Sequence, residues 1–355
     1  MIQVKNGIIG NRASYAQSSG TRQGSEGQTS RVTTLVCAPG GCRELAFLSG
    51  VTPSKPSPWT IGWRAIRPHT LPLCLSPVLA GSVVGWVQAG TLRLDITLAA
   101  AVSAACMQVG ANLQNDAADA LNGTDGPDRS GPARVTQLGW AGAGQILRAA
   151  WLSFALAVLA GVYLVVVGGL VLVLLGLAAL VAAYAYSGGP RPISRGPFGE
   201  VVVLLFFGLV AVGGVAWLDS GKWSLPAVFL GLVVGLPAAA VLMINNLRDH
   251  ASDSGAGRRT LAIVLGPVGA GRAISALLLA PAPVLLLLAS LGWPWIGALL
   301  GLAALVMAPP LIRSVRAASG AADYNRALKR TTLFQLVLTV LIVVGIGGFH
   351  LTGWG

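Results

Sequence analysis

A chain of 355 residues that is 54% hydrophobic and only 10% charged, with a mean hydropathy of +0.72, cannot cover a soluble globule with polar surface, and a water-soluble fold is excluded. The formal charge of +12 would suit a nucleic-acid partner, but the basic residues collect in alternate connections between apolar runs, the pattern of a membrane protein, and no nucleic acid is expected. Four cysteines and three histidines give neither a disulfide framework nor a zinc site.

Residues 1–58 are rich in Gly, Ser, Thr and Gln, show no helical period and hold no apolar run long enough for a signal-peptide core. They read as a disordered basic tail or an over-extended gene start, and residues 59–355 as the membrane domain. Trp59, Trp63, Arg64 and Arg67 form an interfacial stretch, with rings and guanidinium groups at headgroup depth. In Arg-Pro-His-Thr-Leu-Pro (67–72) two prolines break helix geometry at an entry turn, where His69 reads as an interfacial polar residue. Runs near the roughly 20 residues that cross a bilayer follow at about 71–90, 96–115, 147–167, 169–186, 200–218, 224–247, 272–292, 295–312 and 331–350. The expected fold is an all-α integral membrane protein with about nine transmembrane helices. Cys74 and Cys106 fall inside these runs and read as small core residues.

Connections after the second, fourth, sixth and eighth runs carry Arg129, Arg134, Arg148, Arg191, Arg195, Arg248, Arg258, Arg259, Arg272, Arg313, Arg316, Arg326, Lys329 and Arg330, against Arg93 and Lys222 in the others. Basic connections stay in the cytoplasm, so the chain is expected in the inner (plasma) membrane with this richer set on the cytoplasmic side and the C-terminus outside.

Acid is scarce, and six of the twelve acidic residues stand in two stretches at the ends of the second and sixth runs. If the helix continues, Asn112, Asn115, Asp116 and Asp119 fall within an arc of about 100°, and Asn245, Asn246, Asp249 and Asp253 do the same. Gly123, Gly126, Pro127, Gly131 and Pro132 then end the first helix in a loop that holds Asp125, Asp128, Arg129 and Arg134. Four runs separate the two corners, which suggests two pseudo-repeated four-helix halves plus a ninth helix.

Carboxylates at a membrane boundary must be paired, wetted or bound to a cation, and two such groups on separate helices repel until positive charge sits between them. Oxygen donors flanked by asparagine, without Cys or His, point to Mg²⁺, which takes one or two carboxylates together with phosphate oxygens. Arg129, Arg134, Arg248, Arg258 and Arg259 add the fixed positive charge that a diphosphate leaving group requires. Solvated surface pairs are one competing reading, but two matched helix ends, each preceded by Asn and followed by Arg, weigh against it. An ion-coupled transporter is another, but it would need acids near mid-span rather than at helix ends.

Asn115-Asp116-x-x-Asp119-x-x-x-Gly123-x-Asp125, continuing through Asp128-Arg129-x-Gly131-Pro132-x-Arg134-Val-Thr-Gln, resembles the UbiA-type intramembrane aromatic prenyltransferases, and among them the 1,4-dihydroxy-2-naphthoate polyprenyltransferase branch of menaquinone synthesis. Asn245-Asn246-Leu-Arg-Asp249-x-x-x-Asp253, Gly257-Arg258-Arg259-Thr-Leu-Ala262 and Tyr186-Ser-Gly-Gly-Pro-Arg191-Pro192 with Gly199-Glu200 resemble the same branch. Gly123 stands where the hydroxybenzoate branch carries a further Asp. The resemblance runs from about Trp59 to the C-terminus and implies a UbiA-type bundle.

It further implies that Asp116, Asp119, Asp249 and Asp253 hold Mg²⁺ on an allylic polyprenyl diphosphate, with Asn115 assisting and Asp125 replacing the acid absent at 123. Arg129 and Arg258 or Arg259 would neutralise the diphosphate, with Asn112, Arg134, Asn245 and Asn246 in the substrate site, while Tyr186 and Arg191 flank the aromatic acceptor. The implied reaction transfers the polyprenyl group to 1,4-dihydroxy-2-naphthoate with loss of CO₂, giving demethylmenaquinone, and the isoprenoid tail leaves through an apolar channel toward the lipid bilayer. A sister enzyme using 4-hydroxybenzoate, homogentisate or haem is the alternative. Glu200 also reads as an acid at a helix N-terminus, facing the helix dipole.

Overall fold

The computed structural model describes residues 56–123 and 131–353, together with the strand segments 32–38 and 41–47. Met1–Pro56 and Ser57–Gly355 form separate units. Within the stretch expected to be a disordered tail, β1 (Val32–Ala38) and β2 (Gly41–Phe47) pair antiparallel, with Val32 opposite Phe47 and Cys37 opposite Cys42. The β-branched run of Val32, Thr33, Thr34 and Val36 supplies the strand propensity that a reading by overall composition overlooks.

The second unit is helical, and among the described residues nine helices are long and apolar enough to cross a membrane: α1 (Pro58–Ala89), α2 (Leu94–Leu121), α3 (Ala143–Gly168), α4 (Leu170–Ser187), α5 (Gly199–Ser220), α6 (Leu225–Arg248), α7 (Leu261–Ala289), α8 (Trp295–Arg316) and α9 (Ala321–Leu351). The order of these spans matches the nine apolar runs of the sequence. Several begin earlier than the runs do: α9 starts at Ala321 because helix continues into polar residues that a hydropathy window discards, and α7 starts at Leu261 because helix resumes across Gly266-Pro267.

α1 contains the interfacial stretch. Ser57 Oγ caps Thr60 N at 3.3 Å, and helix runs from Pro58 to Ile66, where Arg67 takes a left-handed conformation (φ 53°) before the short turn Pro68–Thr70. Pro68 disfavours continued helix at the residue before it, which is why the chain breaks at Arg67. Trp59 and Trp63 are exposed and stacked at 6.0 Å. α7 is kinked where Gly266 adopts φ 66°, ψ 169° ahead of Pro267, a backbone open to glycine and closed to most other residues. In α5, Leu204–Val210 widens to a π-helix, and in α8, Trp295–Met307 tightens to a 3-10 helix.

Packing is uneven. The largest core cluster joins Val83 and Val84 of α1, Leu230, Met243 and Ile244 of α6, Ile274 and Leu285 of α7, and Phe334, Leu338 and Ile342 of α9. In its most apolar window α6 is 67% buried, whereas α4 is 11% buried. The bundle therefore has a tight side around α6 and α9 and a loose side at α2, α3 and α4, with room between them.

α8 and α9 cross with backbone nearly in contact, since a Cβ added at Gly297 or Gly345 would strike the carbonyl of the other glycine. Close backbone approach of this kind drives helix association in lipid. Gly297→Val and Gly345→Val should each destabilise the purified protein by about 1–3 kcal/mol through overpacking, read as a lower melting temperature in detergent, whereas Gly271→Val, which meets open space, should melt near wild type.

Candidate active site

Because neighbouring spans run in opposite directions, the ends of α2, α4 and α6 and the starts of α3, α5, α7 and α9 gather at one end of the bundle. A cavity of about 1130 Å³ opens there and runs between the tight and loose sides. Asn112, Asn115, Asp116, Asp119, Arg134, Tyr186, Asn245, Asn246, Asp249, Asp253 and Arg258 line it, joined by Arg248, Asn325 and Lys329. Farther in, the wall is apolar, with Phe206, Phe207 and Val210 of α5, and it reaches Leu164, Leu172 and Leu218 near the opposite helix ends.

The first acid motif sits on the last turns of α2, which ends at Leu121 with Gly123 at φ 65° in the turn that follows. The second does not lie on one continuous helix as expected. α6 ends at Arg248, Asp249 takes φ −91°, ψ 6°, and the short helix His250–Gly255 carries Asp253. The break changes the chain direction, yet all four second-motif residues stay on the cavity wall.

Guanidinium groups hold the carboxylates. Arg258 Nη2 lies 3.0 Å from Asp119 Oδ1 and its Nη1 lies 3.1 Å from Asp253 Oδ1, so one cation bridges the two motifs. Arg134 Nη2 meets Asp119 Oδ2 at 2.5 Å, and its Nη1 donates to Asn115 O. Arg248 grips Asp249 with Nε and Nη2 at 2.9 and 2.6 Å, and also donates to Asn325 Oδ1 and Asn245 Oδ1. Thr136 Oγ1 donates to Asp116 Oδ1. Tyr186 lies within electrostatic range of Glu200, Arg258, Asp253 and Asp119. Arg64 donates to Ala133 O at 3.2 Å and stacks over Trp140, which ties the entry helix of α1 to the loop that carries Arg134.

Not every sequence candidate reaches the cavity. Arg191 follows Pro190 on an exposed loop, and Arg259, whose backbone N–H donates to Arg195 O, is exposed too; neither lines the cavity. Asn112 is spent on structure, donating to Ile66 O and Thr70 Oγ1 and accepting from Gln108. Asp125 and Arg129 lie outside the described residues. Residues overlooked by motif reading are Thr136, Asn325 and Lys329. The last two sit four apart at the polar start of α9, a spacing that places them on one helix face.

Among the described residues no three of Asp, Glu, His and Cys converge on one point as a ready metal cage. The donor set still suits Mg²⁺: all hard oxygen, from two motifs, with Asp119 and Asp253 on opposite sides of a single guanidinium, where a smaller cation completed by phosphate oxygens and water fits.

A bundle with ion-paired carboxylates at the head of a long apolar cavity has the chemistry to take a ligand with a charged head and an apolar tail. The chain belongs to the UbiA prenyltransferase family, which residues 74–336 match. It is 35% identical to the 1,4-dihydroxy-2-naphthoate octaprenyltransferase of Escherichia coli K12 over 81% of this chain and 95% of that protein, and 34% identical to the Mycobacterium tuberculosis protein of the same name over 78% and 93%. The fold is shared with a UbiA homologue from Aeropyrum pernix (TM-score 0.57, 18% identity, 80% of this chain and 98% of that one) and with one from Archaeoglobus fulgidus solved with DMAPP and Mg²⁺ (0.55, 15%, 80% and 99%).

Arg134 is 6% exposed and pairs with a carboxylate held at the cavity head. Arg134→Met should lower stability by about 3 kcal/mol, because it leaves Asp119 short of a buried partner. Arg326→Met, which breaks an exposed pair with Asp323, should leave the melting temperature nearly unchanged.

Proposed function

We propose that this protein transfers a polyprenyl group from an allylic polyprenyl diphosphate to 1,4-dihydroxy-2-naphthoate with release of CO₂, giving demethylmenaquinone at the quinol level. The observation that carries this reading is Arg258 bridging Asp119 and Asp253 at the head of a cavity whose remaining length is apolar. The names and coverage of the relatives support the acceptor, and the DMAPP and Mg²⁺ of the Archaeoglobus fulgidus homologue support the donor and the metal.

In this reading Asp116, Asp119, Asp249 and Asp253 hold Mg²⁺, which when bound would neutralise charge developing on the departing diphosphate. Arg134, Arg248 and Arg258 exchange their carboxylate partners for diphosphate oxygens, with Arg129 contributing from the loop. The allylic C–O bond breaks with its electron pair going to the diphosphate. The ring carbon that bears the carboxylate forms the new C–C bond, and the electrons of its bond to the carboxyl group return to the ring as CO₂ departs. No proton is lost in this balance, so the site requires no general base. The apolar wall around Phe206, Phe207 and Val210 keeps water from the allylic cation and houses the tail. Tyr186 borders the place where the ring approaches. The arginine-rich connections support a cytoplasm-facing site in the inner membrane, and residues 1–58 are assigned no part in the chemistry.

Asp116→Asn, Asp119→Asn, Asp249→Asn and Asp253→Asn should each lower turnover about 100-fold or more while still inserting into membranes. Near-normal rates in two of the four purified variants would remove the metal assignment. With carboxyl-labelled 1,4-dihydroxy-2-naphthoate, Mg²⁺ and a polyprenyl diphosphate, labelled CO₂ should appear together with prenylated ring. A product that keeps its label, or prenylation of 4-hydroxybenzoate at a comparable rate, would overturn the acceptor.

A further inference from the structure

Glu200 stands in the motif at the start of α5 but has no part in the chemistry above. It is 4% exposed and does not line the cavity, yet its Oε1 accepts from Asn246 Nδ2 at 2.8 Å, while its Oε2 has no partner. At a helix N-terminus an acid gains less from the dipole, even when partly buried, than taking a carboxylate out of water costs. A carboxyl group this deep must be compensated by specific contacts, and beside its own backbone amide the Asn246 side chain supplies one.

That contact fixes which end of the amide faces the cavity. A carboxylate oxygen can only accept, so Asn246 gives its NH₂ to Glu200, and the carbonyl oxygen is the atom left for the cavity it lines. Its neighbour is turned the other way. Asn245 Oδ1 accepts from Arg248 Nη2 at 2.9 Å, which leaves Asn245 offering NH₂. The two adjacent asparagines thus present opposite polarity: a donor, suited to a diphosphate oxygen, and an acceptor, which a diphosphate would repel and a cation would attract.

We propose that Glu200 is a positioning residue that aims Asn246 Oδ1 as a neutral oxygen ligand into a divalent-cation subsite shared with Asp249 and Asp253. The inference rests on the Mg²⁺-diphosphate reading above and moves Asn246 from the substrate side of the site to the cation side. It also gives the buried carboxylate a role in a reaction that needs no base. Without Glu200, the amide is free to rotate and offer its NH₂, which no cation accepts.

The test is Mn²⁺ binding, followed by electron paramagnetic resonance on the purified protein with saturating polyprenyl diphosphate and no acceptor, so that no transfer occurs. Glu200→Ala and Asn246→Ala should each weaken binding roughly 10-fold, as removal of an orienting partner does in other metal sites. The double variant should lose no more than either single one, because both remove the same oxygen. Glu200→Gln, whose amide oxygen can still accept from Asn246, should bind close to wild type. Glu200→Leu fills the same space and takes the place of the alanine variant if that one melts early. Unchanged binding in Glu200→Ala, or additive losses in the double variant, would overturn the proposal while leaving the metal reading intact. No Mn²⁺ binding by the wild-type protein would overturn both.

Discussion

The Arg258 guanidinium between Asp119 and Asp253 is the contact on which the site depends. It joins carboxylates 134 positions apart in sequence, one on the last turn of α2 and one beyond the end of α6. Without a cation there, two carboxylates facing one another near the membrane boundary would repel, and the spans that carry them would be driven apart. Arg134 strengthens the same knot from the other side of Asp119. Charge therefore joins the two motifs across the head of the cavity.

That arrangement suits the uneven bundle around it. α6 and α9 are locked into the large core cluster, while α2 and α4 bury only 17% and 11% of their most apolar windows. A fully packed bundle would have no room for a long tail, and a uniformly loose one would not hold carboxylates in register. Tight packing on one side fixes the second motif, and ion pairing rather than side-chain interdigitation brings the first motif to it.

The sequence showed the number and order of spans and both acid corners, because a bilayer imposes a length and an apolar composition that are readable residue by residue. It misjudged features that depend on partners distant in the chain. Arg191 and Arg259 stand in the right motifs yet are exposed and do not line the cavity. Asn112 has the spacing of a site residue, but its amide is consumed by the turn at Ile66 and Thr70. Asn325 and Lys329 reach the cavity only because α9 packs beside α6, which no local pattern announces. The interruption at Asp249 was likewise hidden, for a helical arc computed from spacing alone cannot register a break in the helix it assumes.

Charge bookkeeping at the mouth explains why metal and diphosphate belong together here. Four carboxylates and three arginines share the cavity head, and each arginine already has a carboxylate partner. A diphosphate arriving alone would have to take those arginines from their partners and leave buried carboxylates unpaired, a cost of several kcal/mol per group. A divalent cation arriving alone would displace guanidinium groups that then lack an anion. When both arrive, carboxylates pass to the metal and guanidinium groups to the phosphate oxygens, so each charged group keeps a partner of opposite sign. The same exchange loosens the bridge between the two motifs, and the head of the cavity becomes as dependent on its ligand as it was on Arg258.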